Sequence, residues 1–276
     1  MNRSLAGIGR FVRSYGVLCL AAIIVLAPFL WAIYASFVKS DLDLSAFPTS
    51  LQAYGLLHYK AMLTGSLIPR WWANSLIVTS VILACNLVFN TMAGYALAQI
   101  RFPGSKFLFG IVLVTLMLPP QVLFEPIYTM IIQLGWLNSY QALIIPFLVN
   151  PFGVFLMRQF FLAMPQELDD AGRIDGLGTL GVFYRLAVPV ARPAIAAQAI
   201  FIFVWNWNTF IFPSVLATSP DMFTLPVGVY QLTHTTFTNH IAESMAGVVL
   251  TTIPAIVVFL LLQRRFMETL AGATKG

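Results

Sequence analysis

Charge is what this chain has least of. Asp, Glu, Lys and Arg together make up 9% of its 276 residues, where soluble domains carry roughly 25%. That shortage excludes an ordinary water-soluble fold. With 59% hydrophobic residues, the chain reads as a protein that crosses a bilayer several times. Cysteine and histidine are scarce too, at two and three. Cys19 and Cys85 fall inside apolar runs and lack metal-ligand spacing, so they read as small buried hydrophobes and not as a disulfide. His58, His234 and His240 have no regular ligand partner nearby and read as solvated or interfacial.

Catalytic signatures are missing as well. There is no G-x-x-x-x-G-K-[ST] phosphate loop, no G-x-G-x-x-G, no H-E-x-x-H and no G-x-S-x-G. The terminal GATKG lacks both the spacing and the following helix of a phosphate loop. Ionisable residues inside a membrane are costly and mark proton or ion paths. Here the apolar runs hold essentially none, with Glu125 and Glu243 at their edges. These gaps argue against a membrane-embedded enzyme and against a self-sufficient secondary carrier or channel, the alternative reading. No catalytic residue, no metal site, no cofactor held by this chain and no nucleic-acid partner are expected. Energy for any pumping has to come from another chain.

What is present is a set of six long apolar stretches, at about 16–38, 74–98, 107–124, 139–161, 194–214 and 243–263; about 20 apolar residues suffice to span a bilayer as a helix. The fold class expected is all-α, one transmembrane domain over residues 1–276. The first stretch follows Arg3, Arg10 and Arg13 but is longer than a signal-peptide core of roughly 7–15 residues, so it reads as a retained span. Asn74 is expected to cap the second. Within it Asn86 and Asn90 stand at i, i+4 on one face, which suits either helix–helix glue or the lining of a path. Basic residues mark cytoplasmic segments. With the N-terminus inside, twelve of the 15 Lys and Arg residues fall on that side, leaving only Lys39, Lys60 and Arg70 outside. Both termini are therefore expected in the cytoplasm. Trp71 and Trp72, at the edge of a span, read as an interfacial belt. Segment 125–138 is short and apolar, and is expected in the interface or as an early start of span four.

The stretch Met164–Pro193 breaks the apolar pattern. It holds Glu167, Asp169, Asp170 and Asp175 together with Arg173, Arg185 and Arg192. Pro165 suits a helix start, and acids in the first turns suit the helix dipole. Asp169 and Arg173 stand at i, i+4 in the favourable order, worth roughly 0.2–0.5 kcal/mol. Leu168, Ala171, Gly172 and Asp175 share one face, small and flat enough for a close approach. Asp175-Gly176 ends the helix in a turn. A second helical stretch with Leu180, Phe183 and Tyr184 follows, and Pro189 and Pro193 are expected to break it. The result is a short helix–turn–helix across the inner face of the membrane, over residues 162–193.

ELDDAGRIDGLGTLGVFYRLAVPVARPAIA resembles the EAA loop of ABC importer permeases, E-A-A-x-x-x-D-G followed by a Pro-bounded element. Asp170, Ala171 and Gly172 stand for E-A-A, and Asp175-Gly176 for D-G. The departures are Asp for Glu and Gly for the second Ala. YALAQIRFPG, IYTMIIQLGWLNSYQALIIP, FGVFLMRQFF, FVWNWNTFIFP, FTLPVGV and AGATKG extend the likeness along the chain, toward the carbohydrate-uptake, maltose-permease-like branch. The resemblance implies a multi-pass permease of a bacterial or archaeal inner membrane. Its implied partners are a second, usually non-identical permease subunit, two ATPase subunits that bind ATP and Mg, and an external solute-binding protein. It assigns ATPase coupling to Glu167, Asp170, Ala171, Gly172, Asp175 and Gly176. Segment 215–242 becomes the outer loop that meets the binding protein, and Leu270–Gly276 a tail reaching toward the ATPases. For the solute, a sugar or sugar-like molecule, Trp205, Asn206 and Asn208 offer aromatic faces and amides. The same residues also suit packing against the second subunit.

Overall fold

A 36-residue helix, α1 (Asn2–Phe37), opens the computed structural model of this chain. The structure describes the backbone of residues 2–40, 50–235 and 241–273, and side chains within 15–40, 50–232 and 241–261. Arg3, Arg10, Arg13, His234, His240 and the tail Leu270–Gly276 have side chains outside that set. The chain forms two compact units, Met1–Ser66 with Val229–Thr252, and Leu67–Gly228 with Ile253–Gly276.

In the first unit, Tyr15–Phe37 of α1 is apolar throughout yet almost wholly exposed, including Val17, Leu18, Ile23 and Ile24. A helix apolar all round is stable in that state only where the solvent is lipid. Cys19 is exposed on this surface and not buried as expected, because no described residue of its unit covers that part of α1. The end of α1 is tied to α2 (Leu57–Gly65). Ser36 Oγ lies 2.7 Å from the Tyr59 hydroxyl, and His58 Nε2 lies 3.0 Å from the Val38 carbonyl oxygen.

The second unit is built on α3 (Ile68–Gln99), with Pro69 in its first turn. Helix α4 (Ser105–Met117) stops where Leu118 turns extended, ψ 125°; the ring of a following proline disfavours the α conformation. The chain then turns through 101° into a 3-10 turn and α5 (Phe124–Gln133). After α6 (Tyr140–Ile144) comes α7 (Pro151–Leu162), which lies along α3. Gly94 makes that contact close: a Cβ there would stand 2.6 Å from Met157 Cβ and 2.8 Å from the Arg158 backbone nitrogen. The short α8 (Gln166–Ile174) leads into α9 (Thr179–Val190). Then come α10 (Arg192–Asn208) and α11 (Ile211–Leu216). Two further helices, α12 (Leu225–Thr235) and the long α13 (Ile241–Ala273), are each divided between the units, at Gly228 and Thr252.

Asn74 does not cap α3. The helix begins two turns earlier, at Ile68, because Trp71 and Asn74 find partners in another loop. Nor does Pro189 break α9. A five-residue π-turn, Phe183–Ala187, precedes it, and the wider turn makes room for a ring that would collide with the carbonyl four residues back. The break comes instead at Ala191, a 73° bend into α10. Among the described residues there is no strand, only an isolated bridge between Val38 and Tyr54. Among the described residues four helices are long and apolar enough to cross a membrane, or up to six if each bent pair is one span.

Candidate functional site

The polar hairpin of α8 and α9 hangs from α7 by Ala163, Met164 and Pro165. Pro165 is the N-cap, φ −58° and ψ 135°. Gly176 ends the hairpin's first arm at φ +78°, with the Leu177 N–H donating 2.9 Å to the Gly172 carbonyl. That left-handed cap is open to glycine and costs other residues about 1–2 kcal/mol. The hairpin has two faces. Glu167, Asp170, Ala171 and Asp175 are exposed. So is Ile174, at 87%, and from α9 Leu180 at 67% and Tyr184 at 59%.

Gly172 is on the other face. It is buried, and a Cβ there would stand 2.7 Å from Leu186 Cδ1 and 3.0 Å from Val182 Cγ2. Its smallness lets α9 lie against α8; it does not meet an outside surface. The outward face is therefore Glu167, Asp170, Ala171 and Ile174, and not the Leu168–Gly172 side. The sequence reading missed Ile174, whose signal was an isolated apolar residue on a helix otherwise polar outward. Beneath the hairpin lies a core of Tyr95, Met157, Phe161, Met164, Phe183 and Ala187.

Further along α3 comes a polar layer. Asn86 and Asn90 are fully buried. Asn86 Nδ2 donates to the Ile82 and Phe147 carbonyls, both at 2.8 Å. Asn90 Nδ2 donates to Asn86 Oδ1 at 3.1 Å, and Asn90 Oδ1 accepts from the Asn150 backbone N–H at 3.2 Å. Asn150 in turn caps α7, accepting from the Phe152 and Gly153 N–H groups. Gln198 of α10 donates 3.3 Å to the Asn86 carbonyl. These side chains bind α3, α7 and α10 together, and Asn86 and Asn90, both wholly buried, are not among the residues lining the cavity beside them.

A cavity of about 580 Å³ opens beside that layer, within the size range of small-ligand pockets. Asn150, Phe201, Trp205, Asn206 and Gln121 line it. Trp205 is 53% exposed and stacks with Phe201 at 6.1 Å, their planes 21° apart. Asn206 is half-buried, and Asn208 is exposed beyond the cavity's edge. Trp207, by contrast, is buried in the core against Trp72 and Phe203.

The opposite end of the unit is closed by residues 216–225. Asn74 donates to the Asp221 and Phe223 carbonyls at 2.8 and 2.9 Å, and accepts 2.7 Å from the Tyr140 hydroxyl. Trp71 Nε1 donates 2.7 Å to the Pro220 carbonyl. Trp71 is thus buried by this loop and does not join an interfacial belt. Asn138, at φ +59°, accepts from the Thr218 and Ser219 N–H groups at 2.9 Å each. Of the expected outer loop 215–242, residues 236–240 lie outside the described residues.

Among the described residues no group of His, Cys, Asp or Glu could hold a metal ion. A family model described as binding-protein-dependent transport system inner membrane component matches residues 90–270. The arabinooligosaccharides transport system permease protein AraQ of Halalkalibacterium halodurans is 37% identical over 262 residues, 92% of this chain and 93% of that one. The galactooligosaccharides transport system permease protein GanQ of Bacillus subtilis is 29% identical over 97% of this chain and 96% of its own length. A solved bacterial ABC transporter involved in import of the acidic polysaccharide alginate superposes with a TM-score of 0.79, covering 96% of this chain and 98% of that one. At 21% identity that likeness speaks to the fold.

Proposed function

The chain belongs to the family of binding-protein-dependent transport system inner membrane components, and we propose that it is the permease subunit of an ATP-driven importer for a sugar or sugar-like solute. It is a multi-pass membrane protein. In this reading it pairs with a second, non-identical permease subunit and with two ATPases that carry ATP and Mg. An external binding protein delivers the solute. Six spans, with both termini and the α8–α9 hairpin in the cytoplasm, belong to this reading, and what supports that side is the excess of Lys and Arg in those segments.

The observation that carries the reading is the hairpin itself. A membrane chain with so few charges spends several on one short segment, and aims Glu167, Asp170, Ala171 and Ile174 outward from a packed base. A mixed acidic and apolar patch of this kind suits a protein cleft better than lipid. Asp175 and Gly176 shape the turn, and Gly172 holds the two arms together. ATP-driven closure of the partner pushes the hairpin, and α7 and α10 follow it through the chain. Trp205, Asn206 and Asn208 are assigned to the solute path, where ring faces and amides match the faces and hydroxyls of sugars. Asn86 and Asn90 serve as interhelical ties.

Reconstitution of the chain, its permease partner, the ATPases and the binding protein into liposomes tests this. Uptake is expected only with all components and ATP. Uptake by this chain alone would revive the carrier or channel reading.

A further inference from the structure

Helix α8 is joined through the chain to α7 on one side and to α10, by way of α9, on the other. It has no such link to α3, the longest helix of its unit. One side chain supplies a link in space. Tyr95, four residues before the end of α3, is 3% exposed. Its ring stands edge-on to Phe161 of α7 at 5.3 Å and tilted against Phe183 of α9 at 5.0 Å. Its hydroxyl donates to Asp169 Oδ1 of α8 at 3.5 Å, and the other oxygen of Asp169 accepts from Arg173 Nε at 2.8 Å. Asp169 is 16% exposed, while its neighbours Glu167 and Asp170 face outward. The acid turned inward on α8 is thus the one turned toward Tyr95.

Near Tyr95, α3 is locked to α7. The close approach at Gly94 leaves no room for the two to slide. Arg158 Nε donates to the Leu97 carbonyl at 3.3 Å, and Gln99 Nε2 to the Phe161 carbonyl at 2.5 Å. A force on Tyr95 therefore moves α3 and α7 as one body at this end. The Tyr95–Asp169 contact is long for an O–H···O hydrogen bond, whose usual length is about 2.7–2.8 Å. It has room to shorten when α8 is pressed against α3.

We propose that Tyr95 is the positioning residue through which α8 drives the α3–α7 pair, by a hydroxyl–carboxylate contact to Asp169 inside an aromatic seat. This deepens the reading of α8 as the ATPase-coupling helix and rests on it.

The test uses the full transporter in liposomes and reads solute moved per ATP hydrolysed. Tyr95→Phe keeps the ring and removes the hydroxyl; Asp169→Asn keeps the shape and removes the charge. Each is expected to lower the transport-to-hydrolysis ratio several-fold, with unfolding midpoint and ATPase co-purification unchanged. The double variant is expected to be no worse than the poorer single one, since residues acting through one contact are not additive. A tyrosine that only fills space would leave the ratio alone, so a wild-type ratio in Tyr95→Phe overturns the proposal. Independent, multiplying losses overturn it too. If Tyr95→Phe accumulates poorly, Asp169→Asn, which changes a single atom and keeps the side chain's shape, decides by the same ratio. A wild-type chain that transports without an ATPase overturns both this proposal and the functional reading beneath it. A coupled wild type with an unaffected Tyr95→Phe overturns this proposal alone.

Discussion

Leu186 closes over Gly172: a Cβ at position 172 would stand 2.7 Å from the Leu186 Cδ1 atom. The two arms of the hairpin meet at this point, so the residue there sets their spacing. The obstacle is the end of a flexible side chain, which can swing aside for a methyl group. Gly172→Ala is expected to be near neutral, because a gain of up to about 1 kcal/mol in helix propensity offsets the crowding. Gly172→Leu should pry the arms apart and abolish transport while membrane insertion persists. Uptake and unfolding midpoints of the two variants check this.

Gly94 presents the opposite case. Its neighbour at 2.8 Å is the Arg158 backbone nitrogen, which has no rotamer to change. Gly94→Ala is expected to cost about 1–3 kcal/mol, the usual toll of overpacking. A lowered thermal unfolding midpoint in detergent is the readout, and an unchanged midpoint would contradict the close α3–α7 contact.

On the outward face, Asp170→Lys should cut ATPase co-purification strongly without affecting accumulation of the permease. Gly176→Val should do the same through the backbone, since φ +78° costs a non-glycine about 1–2 kcal/mol. Normal transport in both variants would remove the coupling role from this turn.

In the polar layer the two amides should differ. Asn86→Leu strips the half-buried Phe147 carbonyl of its donor and the buried Asn90 amide of its acceptor, at up to about 1–3 kcal/mol for each group left unpaired. Gln198→Leu should cost less, because Gln198 Oε1 is already buried with no hydrogen-bond partner among the described residues and the substitution removes only the long 3.3 Å bond from Nε2 to the Asn86 carbonyl. Unfolding midpoints rank the two.

Asn74→Leu should release the loop over 216–225. The Phe223 carbonyl and the Tyr140 hydroxyl would lose the Asn74 bond, and the Asp221 carbonyl would keep only the long 3.4 Å bond from Arg70 Nε. Faster proteolysis within this loop, with the rest of the chain protected, is the expected result.

Membrane class, helical content and the special hairpin at 162–193 were legible in the residues. Lipid demands uninterrupted apolar runs, because a backbone in hydrocarbon must satisfy its own hydrogen bonds. A polar segment between such runs stands out for the same reason. Asp175-Gly176 marked the end of α8, because it acts through local backbone sterics; the stretch expected as one span over 107–124 instead ends its helix at Met117, ahead of Pro119-Pro120. Faces were harder. Periodicity put Ala171 and Gly172 together, yet adjacent helix positions lie about 100° apart, and the packing of α9 buried one and left the other exposed. Trp71, Asn74 and Asn86 read equally well as belt, cap and path lining.

The sequence by itself determined that this chain is a helical membrane protein with one polar hairpin, because hydrophobic run length and local turn chemistry require no distant partner. Tertiary structure decided which polar side chains are ties and which are surfaces. Asn74 bonds to Asp221 and Phe223, Asn86 to Phe147, and Tyr95 to Asp169, across 147, 149, 61 and 74 residues of chain in turn. A hydrogen bond over such separations exists only once the helices have packed, and no local pattern of residues encodes its partner.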